Sequence, residues 1–448
     1  MASNVEISLP NGLKYKQPTN LFINNKFVDA TGDDFTVYNP ATDEKIITMK
    51  GASEKDVDKA VDAARRAFQG EWSELAAVDR GAFLYKIAEL IDRDRKLLAS
   101  IDAFDNGKTY TAALEGDLDE SCNVFRYYAG AADKITGRTI ETSPAKLAYV
   151  LQEPLGVCGQ IIPWNFPFMM LAWKVAPALA CGNTVVLKPA EQTPLSAIYF
   201  GNLVLEAGLP SGVVNIIPGL GSVAGKALAG HMGVDKIAFT GSTATGRAIM
   251  KAAANNLKNI TLKCGGKSPS IVFEDADLEQ AVKWCHVGIM DTWDKFITNP
   301  NPLTLELAIP GLHLALKDLR SRKYIRRFPQ ALGGYYLEPT VFADTTEDMA
   351  IVRDEIFGPV VAIAKFRTVD EVVAKANDTL YGLVAALFTE KIARAHTVAR
   401  RLQAGIVWIN SSGDSHFGIP FGGYKSSCIG RELGLYALDT YTQSKAVH

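Results

Sequence analysis

One amide side chain stands out because two prolines fix the turn that carries it. The run IPWNFP (residues 162–167) is apolar apart from Asn165. A buried asparagine needs hydrogen-bond partners or has a functional role. Its side-chain N–H groups can donate to an oxygen that gains negative charge during a reaction. Asn165 is therefore either a buried amide with structural partners or a candidate donor to an oxyanion.

Glycines and a serine at two further positions are typical of a phosphate site. The run GLGSVA (residues 219–224) matches G-x-G-x-x-A between a predicted strand and a predicted helix, where a pyrophosphate can approach the backbone. Ser242 stands at the start of another predicted helix, where its hydroxyl suits a phosphate. Each feature also has a simpler interpretation, a tight turn for the glycines and a helix N-cap for Ser242.

Lys188 and Glu191 follow a short apolar run that ends in LKPAE. A carboxylate after a strand of an α/β sheet can accept hydrogen bonds from both hydroxyls of an adenosine ribose. The simpler interpretation is a solvated ion pair between the two side chains.

The elements that must position these residues alternate between β-branched and helical runs. Predicted strands are 157–162, 184–187, 213–217 and 236–239, and predicted helices are 169–180, 195–207, 222–229 and 244–254. This order implies right-handed βαβ units and a parallel sheet, with ligands at the carboxyl ends of the strands. Helices are also predicted at 54–68 and 80–94, and a second alternating region begins at 356 with a helix at 369–377.

Composition narrows the classes of protein. With 448 residues, the chain is long enough for two or three domains. A net charge of −2 gives no electrostatic case for nucleic acid or an anionic membrane as partner. Six cysteines without paired spacing, and an N-terminus without an apolar signal run, favour a reducing, cytoplasmic setting. We expect no membrane span and no metal site.

Nine motifs in this order resemble those of the NAD(P)-dependent aldehyde dehydrogenase superfamily, of the eukaryotic type with broad substrate range. They are GVCGQIIPWNFP, KPAEQTPL, VNIIPG, AFTGST, LKCGGKSP, GGYYLEPTVF, DEIFGPV, PFGGYKSS and GRELG. The resemblance implies an α/β fold with three parts: a Rossmann-like parallel-sheet domain, a second α/β catalytic domain and a β-strand oligomerisation arm. The nucleotide-binding domain would span 1–133 and 155–265, the arm 134–154 and 432–448, and the catalytic domain 266–431.

The resemblance also assigns roles to residues by motif. Residues that would contact the dinucleotide are Trp164, Lys188, Glu191, Gly221, Gly225, Ser242, Glu355 and Phe357. Of these, Glu355 and Phe357 would hold the nicotinamide ribose and ring, and Asn165 would be half of the oxyanion hole. Glu191 favours NAD, because a carboxylate at the ribose diol repels a 2′-phosphate, although NADP stays open. The arm implies a homodimer or homotetramer, and an aldehyde is the implied substrate.

Two residues that the family chemistry needs are missing. The family reaction uses a cysteine nucleophile and a glutamate base, but Lys263 occupies the position of the glutamate in LKCGGK. The Gln-Gly-Gln-x-Cys loop is absent, since Met290 runs directly into residues that resemble the segment beyond it. Among the six cysteines we identify no nucleophile. Cys264 is the nearest by position, and Cys428 replaces a glycine of the family pattern K-x-S-G-I-G.

The gap after Met290 has two interpretations, a true deletion or a misread gene boundary, and residues 298–330 match no family segment. Lys263 favours decay, because an error at Met290 cannot change a residue upstream. We therefore expect a family protein whose NAD(P)-dependent oxidation of an aldehyde to an acid is lost or severely impaired. The alternative is a non-catalytic protein that binds nucleotide or assembles with an active relative.

Overall fold

The computed structural model describes residues 4–286, 288, 323–324, 335 and 340–448. Within these residues the strands are β1 Asn4–Ser8, β2 Lys14–Pro18, β3 Leu21–Ile23, β4 Lys26–Val28, β5 Asp34–Asn39, β6 Glu44–Lys50, β7 Arg138–Ser143, β8 Lys146–Pro154, β9 Val157–Ile161, β10 Thr184–Lys188, β11 Val214–Ile216, β12 Lys236–Thr240, β13 Asn259–Lys263, β14 Ser270–Val272, β15 Lys323–Tyr324, β16 Thr340–Ala343, β17 Val360–Ile363, β18 Val384–Phe388, β19 Ile406–Ile409, β20 Cys428–Ile429 and β21 Thr442–Val447.

The α-helices in the same residues are α1 Glu54–Phe68, α2 Glu71–Glu74, α3 Ala77–Arg93, α4 Arg95–Asn106, α5 Asp119–Ala131, α6 Pro167–Ala180, α7 Leu195–Ala207, α8 Lys226–Gly230, α9 Thr243–Ala253, α10 Leu278–His286, α11 Ala350–Arg353, α12 Val369–Asn377, α13 Ile392–Arg401 and α14 Tyr436–Asp439. π-helical turns cover Ala112–Leu118 and Gly221–Gly225. None of the helices among the described residues is long and apolar enough to cross a membrane.

Local sequence explains where the helices that frame the site begin and end. Ser53 caps α1 by accepting from the Asp56 N–H, while the Asp56 carboxylate accepts from the Ser53 N–H at 3.1 Å. Pro167 occupies the first turn of α6, where its missing N–H leaves no bond unmade. Helix α4 ends at Gly107, whose φ of +83° is left-handed and suits glycine.

An eight-stranded sheet organises the first part of the chain, with the order β20-β13-β12-β9-β10-β11-β3-β4. Its five central strands, from β13 to β11, are parallel, and antiparallel strands close both ends. Alternate residues face two cores: Cys158 packs on the side of α3, α5, α6 and α7, whereas Val157 and Ile161 pack on the side of α1, α8 and α9. The predicted parallel sheet with helices on both faces is therefore confirmed.

The second alternating region is also an α/β unit. Strands β14, β18 and β19 form a parallel sheet, with α12 and α13 packed against it through Val372, Val373, Ala395 and Val398. Strands β7, β8 and β21 make a separate antiparallel sheet that joins the two segments expected to form the arm. Of the atypical run 298–330, only residues 323–324 lie within the described part of the chain.

One predicted helix is wrong in form. Residues 222–229 were expected to form a single α-helix, but a π-helical turn over Gly221–Gly225 precedes a short α8. Glycine has a low preference for the α form, and it stands at both ends of this turn. The wider turn is typical of functional positions. The described part of α10 runs from Leu278 to His286, and of residues 287–322 only 288 lies within the described part of the chain.

Candidate functional site

The carboxyl ends of the parallel strands create a crevice at one edge of the large sheet. Strand β9 lies between β10 and β12, and Ile161 is in register with Lys188 on one side and with Phe239 on the other. Strands β10 and β11 lie on one side of β9 and strands β12 and β13 on the other, so the strand order reverses at β9. Ligands of open α/β sheets bind at such a switch point. The loops after β9, β10, β11, β12 and β13 all open onto this edge. Asn165, Glu191 and Ser242 lie in the loops that follow β9, β10 and β12.

Lys188 and Glu191 form an ion pair beside the crevice. The Lys188 Nζ lies 2.8 Å from Glu191 Oε2, and Lys188 is only 2% exposed, so the pair is not the solvated one of the simpler interpretation. Burial alone would raise the pKa of Glu191, but the charge of Lys188 and a hydrogen bond from the Gly221 N–H bring that pKa below its usual value. Glu191 is therefore held as an anion with part of its surface open.

The small residues of the next loop let the backbone come close to this pair. A side-chain carbon on Gly221 would lie 3.8 Å from Glu191 Oε1, and one on Gly225 would lie 3.8 Å from Lys188 Cδ. Ser242 caps α9 by accepting from the Thr245 N–H at 3.2 Å and is exposed at the crevice edge. The N-cap interpretation of Ser242 is confirmed, and its position after β12 leaves it next to any ligand of the crevice.

Two contacts from distant parts of the chain hold the turn that carries Asn165. The Asn106 side chain, at the end of α4, donates to the Trp164 carbonyl over 2.6 Å. The Trp164 ring meets Phe357 edge-on, with the ring centroids 5.4 Å apart. Asn165 is half-buried between these two supports. The contact joins residues that stand far apart in the sequence and that were assigned separately to the cofactor.

Glu355 reaches the same place from the segment before β17. Its Oε1 accepts a hydrogen bond from the Gly266 N–H at 2.9 Å. The stem of Glu355 is exposed, but its carboxyl group lies against the loop after β13, and this burial raises its pKa. Trp164, Phe357, Glu355 and Gly266 therefore form the wall of the crevice opposite the Lys188–Glu191 pair.

Lys263 ends β13 but its amine turns away from this wall. Lys263 is 3% exposed, and its Nζ donates to the Phe421 carbonyl and lies 4.8 Å from the centre of the Phe421 ring. Burial lowers the pKa of Lys263. The Lys263 amine is thus directed to the segment before β20.

All six cysteines lie in the described residues, and burial raises the pKa of five of them. The pKa rises to about 11 for Cys122, about 12 for Cys158 and about 11 for Cys264, and it is also raised for Cys181 and Cys285. A side-chain carbon on Gly246 would lie 2.5 Å from the Cys264 Sγ, so this thiol packs against α9 rather than opening onto the crevice. A protonated, packed thiol is a poor nucleophile.

The sequence analysis missed a buried ion pair beneath the site. The Lys174 Nζ lies 2.7 Å from Glu432 Oε1 and donates to the Thr240 hydroxyl at 2.6 Å. Lys174 is the one charged residue in the apolar sequence of α6, and a lone charge in such a helix is the signal that could have revealed the buried pair.

The described residues contain no group of three or more metal-ligating side chains.

Comparison with known proteins agrees with this architecture. A sequence model described as the aldehyde dehydrogenase family matches residues 27–292 and 325–447. An aldehyde dehydrogenase of Aspergillus niger is 47% identical over 483 aligned positions that cover 99% of this chain and 97% of that relative. Aldehyde dehydrogenase 1A1 of Gallus gallus is 45% identical, over 96% of this chain and 93% of its own length.

Solved structures show the same similarity. The NAD+ complex of an aldehyde dehydrogenase from Bacillus cereus is 43% identical, with a TM-score of 0.89 over 96% of each chain. An indole-3-acetaldehyde dehydrogenase from P. syringae is 35% identical, with a TM-score of 0.92 over 97% of each chain. Sequence and fold thus agree over nearly the whole length, and the chain belongs to the aldehyde dehydrogenase family.

Proposed function

We propose that this chain binds NAD in the crevice after β9, β10 and β12 and that its catalysis of the family reaction is severely impaired. That reaction is the NAD(P)-dependent oxidation of an aldehyde to a carboxylic acid. The observation that carries the binding half is the Lys188–Glu191 ion pair at the switch point of the sheet. The solved relative from Bacillus cereus, in complex with NAD+, supports it.

The residues at the crevice fit a dinucleotide. Glu191 is anionic and partly open, so it suits the adenosine ribose diol, and it favours NAD over NADP because it repels a 2′-phosphate. Gly221 and Gly225 have no side chain, so a pyrophosphate can approach the backbone there. Ser242, exposed at the start of a helix, suits the same group. Glu355 and Phe357 would hold the nicotinamide ribose and ring. Bound NAD would supply the hydride acceptor.

The chain's own residues supply only part of the remaining chemistry. Asn165 would donate to an aldehyde oxygen as that oxygen gains charge. The covalent step needs a thiolate at the carbonyl carbon, and the family cysteine loop is absent from the sequence. The 483-position alignment is longer than this chain of 448 residues, so the relative has residues without a counterpart here.

The hydrolytic step is affected as well. A base must take a proton from the water that releases the acid, and Lys263 stands where the family has glutamate. Its amine is buried on the Phe421 carbonyl and does not face the crevice wall. Both halves of the covalent cycle therefore lack their residue, while the dinucleotide site is intact.

Calorimetric titration of the purified protein with NAD and NADP tests the binding half. We expect NAD to bind, and Glu191→Gln to weaken NAD by about tenfold, the loss typical of one charged hydrogen bond. The same variant should narrow the difference between NAD and NADP. Glu206→Gln, which changes a surface carboxylate paired with Arg93, is the matched control and should leave both affinities unchanged. An NAD affinity that Glu191→Gln leaves intact would contradict the assignment.

A second candidate function is that of a non-catalytic subunit in an oligomer with itself or with an active relative. The β7–β8–β21 sheet favours it, because apolar Ile140, Leu147 and Leu151 are exposed there. Light scattering after size exclusion should show a homodimer or homotetramer. Leu147→Asp should lower the mass, whereas Leu257→Asp, at an apolar residue 89% exposed elsewhere, should not. A wild-type protein that is monomeric both alone and when mixed with an active relative would exclude this candidate.

A further inference from the structure

Two residues that differ from the family pattern lie opposite each other on a pair of neighbouring antiparallel strands. Lys263 replaces the family glutamate and Cys428 replaces a family glycine. In the structure they are register partners between β13 and β20. Directly opposite residues of an antiparallel pair project to the same face, with their Cβ atoms about 5 Å apart. The two changed side chains are therefore neighbours.

Their polar atoms meet on that face. On this face the Lys263 amine donates to the Phe421 carbonyl, and the Cys428 thiol lies close enough to influence the pKa of Lys263. The Cys428 Sγ also lies 3.3 Å from the Gly430 carbonyl, to which the thiol donates. Burial lowers the pKa of Lys263, although the charge of Glu432 opposes the shift, so a larger share of the amine is neutral.

The neighbouring thiol at Cys264 is excluded from this contact. Successive residues of a strand point to opposite faces, and the Cys264 Sγ packs against Gly246 of α9. Cys122, Cys158 and Cys181 are buried in the core formed with α3, α5, α6 and α7, and the strand register pairs Cys158 with Lys236 rather than with Lys263. Cys428 therefore has an amine as its reactive neighbour on the face it shares with Lys263.

We propose that Lys263 and Cys428 form a site of oxidative modification, at which a peroxide joins the two side chains through a nitrogen–sulfur bond. The site does not depend on cofactor binding or on turnover. It would link the last residue of β13 to the first residue of β20 and hold the loop before β20 onto the sheet.

The chemistry balances with one equivalent of hydrogen peroxide. The thiol gives its proton to a base, the sulfur attacks one peroxide oxygen, the O–O bond breaks and one water leaves, so that cysteine is oxidised to sulfenic acid and peroxide is reduced. The Lys263 nitrogen then attacks sulfur, the S–O bond breaks and a second water carries away the hydroxyl group and one amine proton. A thiol and an amine thereby become a sulfenamide, the condensation that sulfenic acids undergo with nitrogen nucleophiles.

Peptide mapping of the full-length protein tests the proposal. The reduced protein is treated with equimolar hydrogen peroxide, alkylated, digested at acidic residues and analysed by mass spectrometry. We expect a linked peptide pair that contains Lys263 and Cys428 and is lighter than its parts by about two hydrogens. Dithiothreitol should release the two peptides. Protein unfolded in urea before oxidation should not form this pair.

Three variants separate the proposed link from a disulfide of equal mass. Lys263→Met and Cys428→Gly should each abolish the pair, and the first should leave Cys428 open to a sulfenic-acid probe. Cys264→Ser is the matched control and should keep the pair. A link that survives Lys263→Met, or that Cys264→Ser abolishes, would show a Cys264–Cys428 disulfide and overturn the proposal. So would a wild-type protein without a link, or a pair heavier by one oxygen.

Discussion

The side-chain amide of Asn106 donates to the backbone carbonyl of Trp164 over 2.6 Å, across 58 residues of sequence. The same helix α4 also holds the other end of the turn, because Asp102 Oδ2 accepts from the Phe168 N–H at 3.2 Å. The Lys108 amine lies 4.6 Å from the centre of the Phe166 ring. One helix end thus fixes the segment that presents Trp164 and Asn165 to the crevice.

Asn106→Ala should therefore weaken NAD binding without unfolding the protein. Loss of one neutral hydrogen bond costs about 1 kcal/mol. If that bond stabilises the NAD-bound conformation of the turn, the affinity for NAD falls about fivefold. Titration of NAD, followed through quenching of tryptophan fluorescence, measures the change. Asn11→Ala is the matched control, because Asn11 donates to Ser100 in the middle of α4, away from the end that holds the turn. Equal effects of both substitutions would mean that Asn106 acts only through stability.

The acid groups of α4 predict a pH dependence of stability. Burial raises the pKa of Asp102 to about 6, against the opposing charge of Lys108, and Asp105 and Asp117 lie nearby. The folded state thus holds this proton more tightly than the unfolded chain, in which the pKa of an aspartate is near 3.8. Its ionisation therefore costs stability, and the cost grows as pH rises from about 4 to about 6 and stays constant above.

Asp102→Asn should remove that cost while keeping an acceptor for the Phe168 N–H. We expect the variant to gain on the order of 1–3 kcal/mol relative to wild type at pH 8 and much less at pH 4. Urea unfolding at the two pH values measures the difference. Asp34→Asn, at an exposed residue at the start of β5, should change stability equally at the two pH values. A variant that is less stable at pH 8 would show that Asp102 acts mainly as an ionised partner of Lys108.

The buried Lys174–Glu432 pair beneath the site predicts that removal of one partner destabilises the protein far more than replacement of both. Glu432→Gln leaves the Lys174 ammonium in the core without a counter-ion, and breaking a buried pair in this way destabilises by about 3–5 kcal/mol. Replacing both residues by apolar ones should recover much of the loss. Urea midpoints measure both variants, with Lys86→Met, in the exposed pair with Glu89, as a control expected within about 0.5 kcal/mol. A near-neutral Glu432→Gln would contradict a charged pair.

Catalysis should fail in a way that one substitution cannot repair. Loss of a nucleophile that acts as part of a unit lowers turnover by about a million-fold in a well-studied hydrolase. We expect no NADH above background with simple aldehydes, and none from Lys263→Glu alone. Restoring the Gln-Gly-Gln-x-Cys loop with its strand in the Lys263→Glu background should produce NADH. Turnover in the wild-type protein that Cys264→Ala or Cys428→Ala abolishes would instead reveal a recruited nucleophile.

Much of the fold follows from local pattern. Helices α1, α7 and α12 begin and end where periodicity and caps predict, and the strands of the parallel sheet agree to within a residue or two. Local signals act over a few residues, which is why these elements are predictable. The predicted residues Trp164, Glu191 and Ser242 meet at one edge because strand direction alone fixes which loops share it.

What the sequence could not predict depends on contacts between distant segments. The direction of the Lys263 amine is set by Phe421, 158 residues later. No local sequence pattern predicts the rotamer of such a side chain. The Lys174–Glu432 pair spans 258 residues for the same reason. The split of the predicted 222–229 helix reflects glycines whose backbone choice depends on packing beside Lys188.

The last residues of the chain complete a core that the first half began. Tyr128 donates to the Gly434 carbonyl across 306 residues, and β20 covers the edge of β13. During synthesis, the Lys174 charge and this strand edge stay uncovered until residues 428–434 leave the ribosome. The nascent chain therefore needs protection, by a chaperone or by rapid release, until that moment. A premature stop codon only a few residues before position 432 should yield an aggregation-prone fragment rather than a slightly shorter protein.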